Sequence, residues 1–235
     1  MFCLSCKYIP QSTIIDCVKS IVRYHPDQKI LVADSKSDDL SYLLKIREYD
    51  NVEIFVENKN RSIGSLWESY RRYPNEPFYI LLQDTVVLKE SLNQYINSPS
   101  LFTSFIYFIE TVGQGCLSFT NNEDYNFYKK ILENTEYQYP NLNQVIFGSF
   151  GPLFVIKNEL MKRFESKGLI KNLQTSGKME HQYAERIIGI CAEQEGYSPS
   201  TNNIQGEYYN NLDDMLNNNM KFFNKIFLMS NGLRN

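Results

Sequence analysis

Several residue types are scarce, and each scarcity closes off a chemistry. Of the 235 residues two are His (His25 and His181), one is Trp (Trp67), and five are Cys (Cys3, Cys6, Cys17, Cys116 and Cys191). An odd, scattered cysteine set does not build a disulfide framework. "CLSC" at 3–6 has metal-ligand spacing but no second pair, so it reads as thiols in a buried strand rather than as half a zinc site. Positive charge is not in excess: 24 Lys and Arg against 27 Asp and Glu give a formal charge of −3 and a pI near 5.5. Phosphate attraction is thereby weak, and a nucleic-acid partner is not expected. Glycine fingerprints are missing as well. There is no G-x-G-x-x-G, no G-x-x-x-x-G-K-[ST] and no G-x-S-x-G, which removes the main support for dinucleotide, P-loop and serine-hydrolase readings. The longest apolar stretch, "LFTSFIYFI" (101–109), is too short to span a bilayer. "MFCLSCKYIP" has neither a basic n-region nor a long apolar h-region, so a soluble, cytoplasmic protein is expected.

Hydrophobic residues make up 43% of the chain, with 17 Tyr and 15 Phe, enough to bury a core. The first hundred residues alternate strand and helix signals. Strands are expected at 2–6, 29–34, 52–57 and 78–83. Helices are expected at 12–26, capped by Ser12 and stopped by Pro26, and at 38–49 and 62–73. Such alternation implies right-handed crossovers and a mainly parallel sheet flanked by helices. Ligands then sit outside the carboxyl ends of the strands. The polar residues there are Ser5 to Tyr8, Asp34 and Ser35, Asn58 to Arg61, and Gln83 to Thr85. Further on, 101–110 and 153–157 read as strands, and 121–134, 158–168, 181–196 and 212–229 as helices. No repeat or linker divides the chain. A single α/β domain over 1–235 is expected, with a nucleotide-binding half (about 1–98) and an acceptor half (about 99–235) that ends in an amphipathic helix.

Four features in order resemble the nucleotide-binding half of GT-A glycosyltransferases, particularly the family 2 type. They are "CLSCKYIPQSTIIDCVKSI", the acid-terminated strand "ILVADSKS", "NKNRSIGSLWESYRR" with its N-x-x-G-like start, and "YILLQDTVVL" in the place of the strand ending in D-x-D. Residues 2–95 carry most of the likeness. "GSFGPLFVIKNELMKRF" (148–164) is similar to the acceptor-site floor, and "YAERIIGICAEQEGY" (183–197) to the helix bearing the E-D motif. The motif is degenerate here: Leu82-Gln83-Asp84 keeps only the last Asp.

The resemblance implies a metal-dependent transfer, inverting as is the rule for that family, of a sugar from a UDP-, GDP- or dTDP-sugar to a hydroxyl on a glycan, lipid-linked or protein-linked acceptor, as in polysaccharide biosynthesis. It implies donor contacts from Ser5, Lys7, Asp34, Ser35, Asn60, Arg61, Gly64, Gln83 and Asp84. It also implies Mn²⁺ or Mg²⁺ on Asp84, with His181 as a further metal ligand, and a base at Glu185 or Glu180. The residues themselves leave alternatives. Asp34 and Asp84 also suit turn caps, Asn60 and Arg61 a solvated loop, and Glu185–Arg186 a helix surface. "MKFFNKIFLM" (220–229) suits either peripheral membrane contact or packing on the domain. Two other functions stay open: a degenerate GT-A domain that binds nucleotide sugars or glycans, and a sugar-nucleotidyltransferase, which would normally show a Gly-rich loop after the first strand.

Overall fold

Strands that are apolar at every position need cover on both faces. In the computed structural model, which describes residues 1–7, 13–111, 129–141, 143–149, 151–175, 178–197, 207–208 and 223–225, the first strands have that cover. In chain order the elements are β1 (Phe2–Cys6), α1 (Ile14–Tyr24), β2 (Ile30–Asp34), β3 (Val52–Phe55), α2 (Arg61–Arg72), β4 (Phe78–Gln83), β5 (Val86–Leu88), α3 (Asn93–Ile96), β6 (Phe102–Ser104), β7 (Ile106–Thr111), β8 (Val145–Ser149), β9 (Phe154–Lys157), α4 (Asn158–Ser166), α5 (Leu169–Asn172), α6 (Lys178–Gln194), β10 (Glu207–Tyr208) and β11 (Phe223–Lys225).

The central sheet has six strands in the order β3-β2-β1-β4-β9-β6. β3, β2, β1 and β4 run parallel, and β9 is antiparallel to both β4 and β6. The class is α/β with a mostly parallel sheet. Side chains alternate between its faces. Phe2, Leu4, Ile80 and Leu82 join one core with Ile14, Val18 and Ile21 of α1. Cys3, Leu31, Tyr79 and Leu81 join a second with Ile63, Leu66 and Trp67 of α2 and with Ala184, Ile187 and Ile188 of α6. Trp67 also donates its indole N–H to the Leu173 carbonyl at 3.0 Å.

A second sheet, β10-β7-β8, carries the site's other half, and α6 packs on β8. The approach is close: a Cβ at Gly189 would stand 2.0 Å from the Phe147 carbonyl oxygen, so glycine is required there. The neighbouring α6 residue Arg186 is only 1% exposed. Its guanidinium bonds both oxygens of Glu110 on β7 (2.5 and 3.0 Å) and the Gln182 carbonyl (2.9 Å), and lies 4.6 Å from the Phe108 ring centroid. A bidentate, fully desolvated pair of this kind fixes helix rotation.

Several sequence expectations change here. Residues 38–49 hold no α-helix, only a 3-10 helix at Ser41–Ile46, because Asp34 ties up the residues before it. Residues 101–110 are not one strand: the chain leaves the central sheet at Phe105 and enters the second sheet as β7. The expected helix at 212–229 is replaced at 223–225 by β11, paired antiparallel with β5, so the amphipathic-helix argument for membrane contact fails at those residues. The rest of that segment lies outside the described residues, as do Ser12 and 121–128; residues 129–132 are helical. The Glu185–Arg186 surface reading also fails, since both are buried. No helix among the described residues is long and apolar enough to cross a membrane.

Candidate functional site

The carboxyl ends of β1, β2, β3 and β4 form one edge, because their parallel registers align Cys6 with Asp34 and Ser5 with Gln83. Asp34 is fully buried at this edge. Its carboxylate accepts the Ser37 N–H (2.7 Å), the Ser37 hydroxyl (2.6 Å) and the Tyr42 hydroxyl (2.5 Å). Such a turn is what an Asx side chain builds after a strand. Tyr42 Oη also sits 3.2 Å from Cys6 Sγ. Burial raises the Cys6 thiol pKa, the Tyr42 contact works against that, and the carboxylates of Asp84 and Asp34 add to the rise. Cys6 therefore lies in the field of both carboxylates.

Beyond β3, Asn58 is buried and donates to Ser5 Oγ (3.2 Å), Ser35 Oγ (3.4 Å) and the Arg61 carbonyl (2.7 Å). This bolts the 58–61 turn to the ends of β1 and β2. Gly64 makes room for it, since a Cβ there would stand 2.0 Å from Asn58 Oδ1. Arg61 opens α2 at φ +49°, in the left-handed region where a non-glycine residue is strained. Its side chain is exposed, and so is that of Lys7. Asn60 turns to the other half: it accepts the Thr175 N–H (Oδ1, 3.2 Å) and the Thr175 hydroxyl (carbonyl, 2.6 Å), and donates to Gln174 Oε1 (2.5 Å).

Asp84 and Thr85 form the tight turn between β4 and β5, each 3% exposed. Thr13, just before α1, donates its hydroxyl to the Asp84 carbonyl at 2.7 Å. Burial, then the nearby Asp84 carboxylate, push the Cys17 thiol up. The Thr85 hydroxyl finds no hydrogen-bond partner among the described residues. Leu82, where the D-x-D pattern has its first carboxylate, is fully buried in the core against α1.

The second half reaches the same edge through β9. The antiparallel register pairs Leu81 with Phe154. β9 therefore enters the sheet beside the carboxyl end of β4, and Gly151 lies in the turn just before it. The Gly151 N–H donates to Glu185 Oε1 at 3.0 Å, and Glu185 is 6% exposed. Glu185 therefore stands at the Asp84 end of the sheet. Glu180 lies at the half-exposed start of α6, and His181 is on the same helix with its side chain outside the described residues.

Ser5, Ser35, Asp34, Gln83, Asp84 and Glu185 thus share one edge, and the Asn58–Arg61 turn borders it. Among the described residues no group of three or more His, Cys, Asp and Glu could hold a metal ion. One carboxylate beside one unpaired buried hydroxyl does not fit a protein-only metal centre. It fits a hard ion that arrives on a diphosphate and keeps most of its other oxygen ligands. Sequence reasoning picks out Asn58 as a polar residue at a strand end but gives it no part in the site, which its bonds to Ser5, Ser35 and Arg61 now supply. Thr175 and the Arg186–Glu110 pair carry no local signal, because their partners are far away in the chain.

No family model matches the chain. No curated protein sequence matches it. Among solved structures it is similar to the galactosyltransferase LgtC in complex with donor and acceptor sugar analogues, 11% identical over 79% of this chain and 70% of that one, with a TM-score of 0.40. It is similar to GalNAc-T7 with UDP, GalNAc and Mn²⁺, 15% identical over 80% of this chain and 40% of that one, with a TM-score of 0.45. It is also similar to a cytidylyltransferase from Leptospira borgpetersenii, 9% identical over 90% of this chain and 75% of that one, with a TM-score of 0.43. Glycosyltransferases, the family that residues 2–95 resemble, are among these similarities, and so is a nucleotidyltransferase.

Proposed function

We propose that the chain is a GT-A glycosyltransferase, acting as a single domain, that moves a sugar with inversion from a nucleotide-sugar donor to a hydroxyl acceptor. The observation that supports this reading is the buried Glu185, held by the Gly151 N–H in the turn before β9, the strand that enters the sheet beside the carboxyl end of β4. An inverting transfer needs a base at the acceptor hydroxyl, on the face of the sugar opposite the leaving diphosphate, and Glu185 comes from the acceptor half of the chain. The order of motifs over residues 2–95 supports the same reading. In it Asp84, with Thr85 beside it, holds Mn²⁺ or Mg²⁺ borne by the donor, and Arg61 and Lys7 face the diphosphate. The ion supplies charge neutralisation to the leaving nucleoside diphosphate. Glu185 takes the acceptor hydroxyl proton as the oxygen bonds to the anomeric carbon and the sugar–phosphate bond breaks. Asp34 shapes the base pocket through Ser37 and Tyr42.

The test is a panel of UDP-, GDP- and dTDP-sugars with Mn²⁺, read by calorimetry and by release of nucleoside diphosphate. One donor is expected to bind and to hydrolyse slowly without acceptor. Neither binding nor release from any member would end the proposal. Binding without release would favour the second reading, a nucleotide-sugar binding module, which has an observation of its own: Leu82 leaves the ion a single carboxylate. Glu185→Gln should keep donor binding and slow turnover by about a hundredfold or more. Full activity in that variant would move the base elsewhere.

A further inference from the structure

Among the described residues, Asn60 joins the Asn58–Arg61 turn to the other half of the molecule. Asn60 commits three polar groups to residues 174–175: its side-chain oxygen to the Thr175 N–H, its carbonyl to the Thr175 hydroxyl, and its amide nitrogen to Gln174 Oε1. Thr175 is fully buried, so its two bonds to Asn60 are not traded freely with water, whereas the Gln174 bond is exposed. Two positions before it, Leu173 accepts the Trp67 indole N–H from α2. On the near side, Asn58 ties the same turn to Ser5 and Ser35 at the sheet edge, and Arg61 holds a strained φ of +49°. Thr175 stands three positions in the sequence before Lys178, where α6, the helix of Glu185, begins.

We propose that Asn60 is a positioning residue: it does not contact the donor, and it transmits occupancy of the Asn58–Arg61 turn to residues 173–175 and so to the entry of the base helix. This rests on the glycosyltransferase reading, in which that turn faces the donor. A ligand that orders the turn stabilises the Asn60–Thr175 bonds, and by reciprocity a change at Thr175 alters nucleotide affinity.

Amide hydrogen exchange of the full chain, with and without UDP, GDP or dTDP plus Mn²⁺, tests this. In the wild type the nucleotide that binds is expected to slow exchange both at 58–64 and at 173–175. In Asn60→Ala the slowing at 58–64 should persist while that at 173–175 disappears, and exchange at Thr175 without nucleotide should rise about tenfold. Asn60→Asp, which keeps the acceptor for the Thr175 N–H, should restore part of the transmission. Thr175→Val, close in shape to the native residue, should weaken nucleotide binding severalfold although it lies in the other half. Wild-type slowing confined to 58–64, or slowing at 173–175 that survives in Asn60→Ala, would overturn the proposal while leaving the glycosyltransferase reading intact. No slowing anywhere with any nucleotide would remove that reading and the proposal together.

Discussion

Asp34 and Asp84 end neighbouring parts of the same sheet, both are buried, and both follow an apolar strand. Their surroundings differ. Asp34 receives three donors from its own loop, Ser37 twice and Tyr42 once. At Asp84 the Thr13 hydroxyl bonds the backbone carbonyl, and next to it the Thr85 hydroxyl is buried with no partner among the described residues. The first carboxylate builds a loop, and the second sits in a turn beside a buried hydroxyl that has polar capacity left over. An unsatisfied buried hydroxyl costs stability, and a site retained for a ligand is a physical reason to keep it.

The contrast can be broken by substitution. Asp34→Ala strands two hydroxyls and an N–H, and should destabilise the fold by about 3 kcal/mol in urea unfolding. A loss below about 1 kcal/mol would mean the loop holds itself. Asp84→Ala should leave stability nearly unchanged and weaken metal-dependent nucleotide binding by about thirtyfold, roughly 2 kcal/mol, in calorimetry. The reverse pattern, stability lost and binding kept, would make Asp84 a turn cap like Asp34. Thr85→Val should raise stability by about 1 kcal/mol, because an apolar isostere replaces an unpaired hydroxyl; destabilisation would show that the hydroxyl is satisfied.

The smallest effect concerns a site away from both carboxylates. His25 Nε2 accepts the Leu92 N–H at 3.0 Å, so the ring is neutral, and burial holds its pKa below the ordinary 6.5. The unfolded chain takes up that proton first. Stability is therefore complete above about pH 6.5 and falls as pH drops from there through the lowered folded value, by at most ~1.4 kcal/mol per pH unit. His25→Gln should flatten that stretch of the curve, whereas an unchanged slope would assign it to other groups.

The parallel strands were legible because each is a short apolar run followed by an amphipathic helix, and a parallel sheet leaves that pattern in sequence. Asp34 and Asp84 were legible for the same reason, as polar residues closing buried strands. What was not legible depends on distant partners. "LLKI" has helical spacing, but Asp34 draws in Ser37 and Tyr42 and leaves room only for a 3-10 turn. "FTSFIYFI" is mostly apolar whether it serves one sheet or two. The β11 strand needs β5, more than a hundred residues away, to reveal itself. Arg186 reads as a surface residue until Glu110 and Phe108 are placed beside it.

Gly189 has no polar atom in its side chain and no part in the chemistry, yet it sets how far the proposed base can drift. Any larger residue there meets the Phe147 carbonyl and pushes α6 off β8, carrying Glu185 away from Gly151. In descendants and distant cousins of this chain, the carboxylates can be exchanged as substrates change, whereas this missing methyl group is a constraint that no substrate can relax. A small residue one helical turn after an acid, opposite a strand that leads into a glycine turn, is therefore the better pattern by which to recognise them.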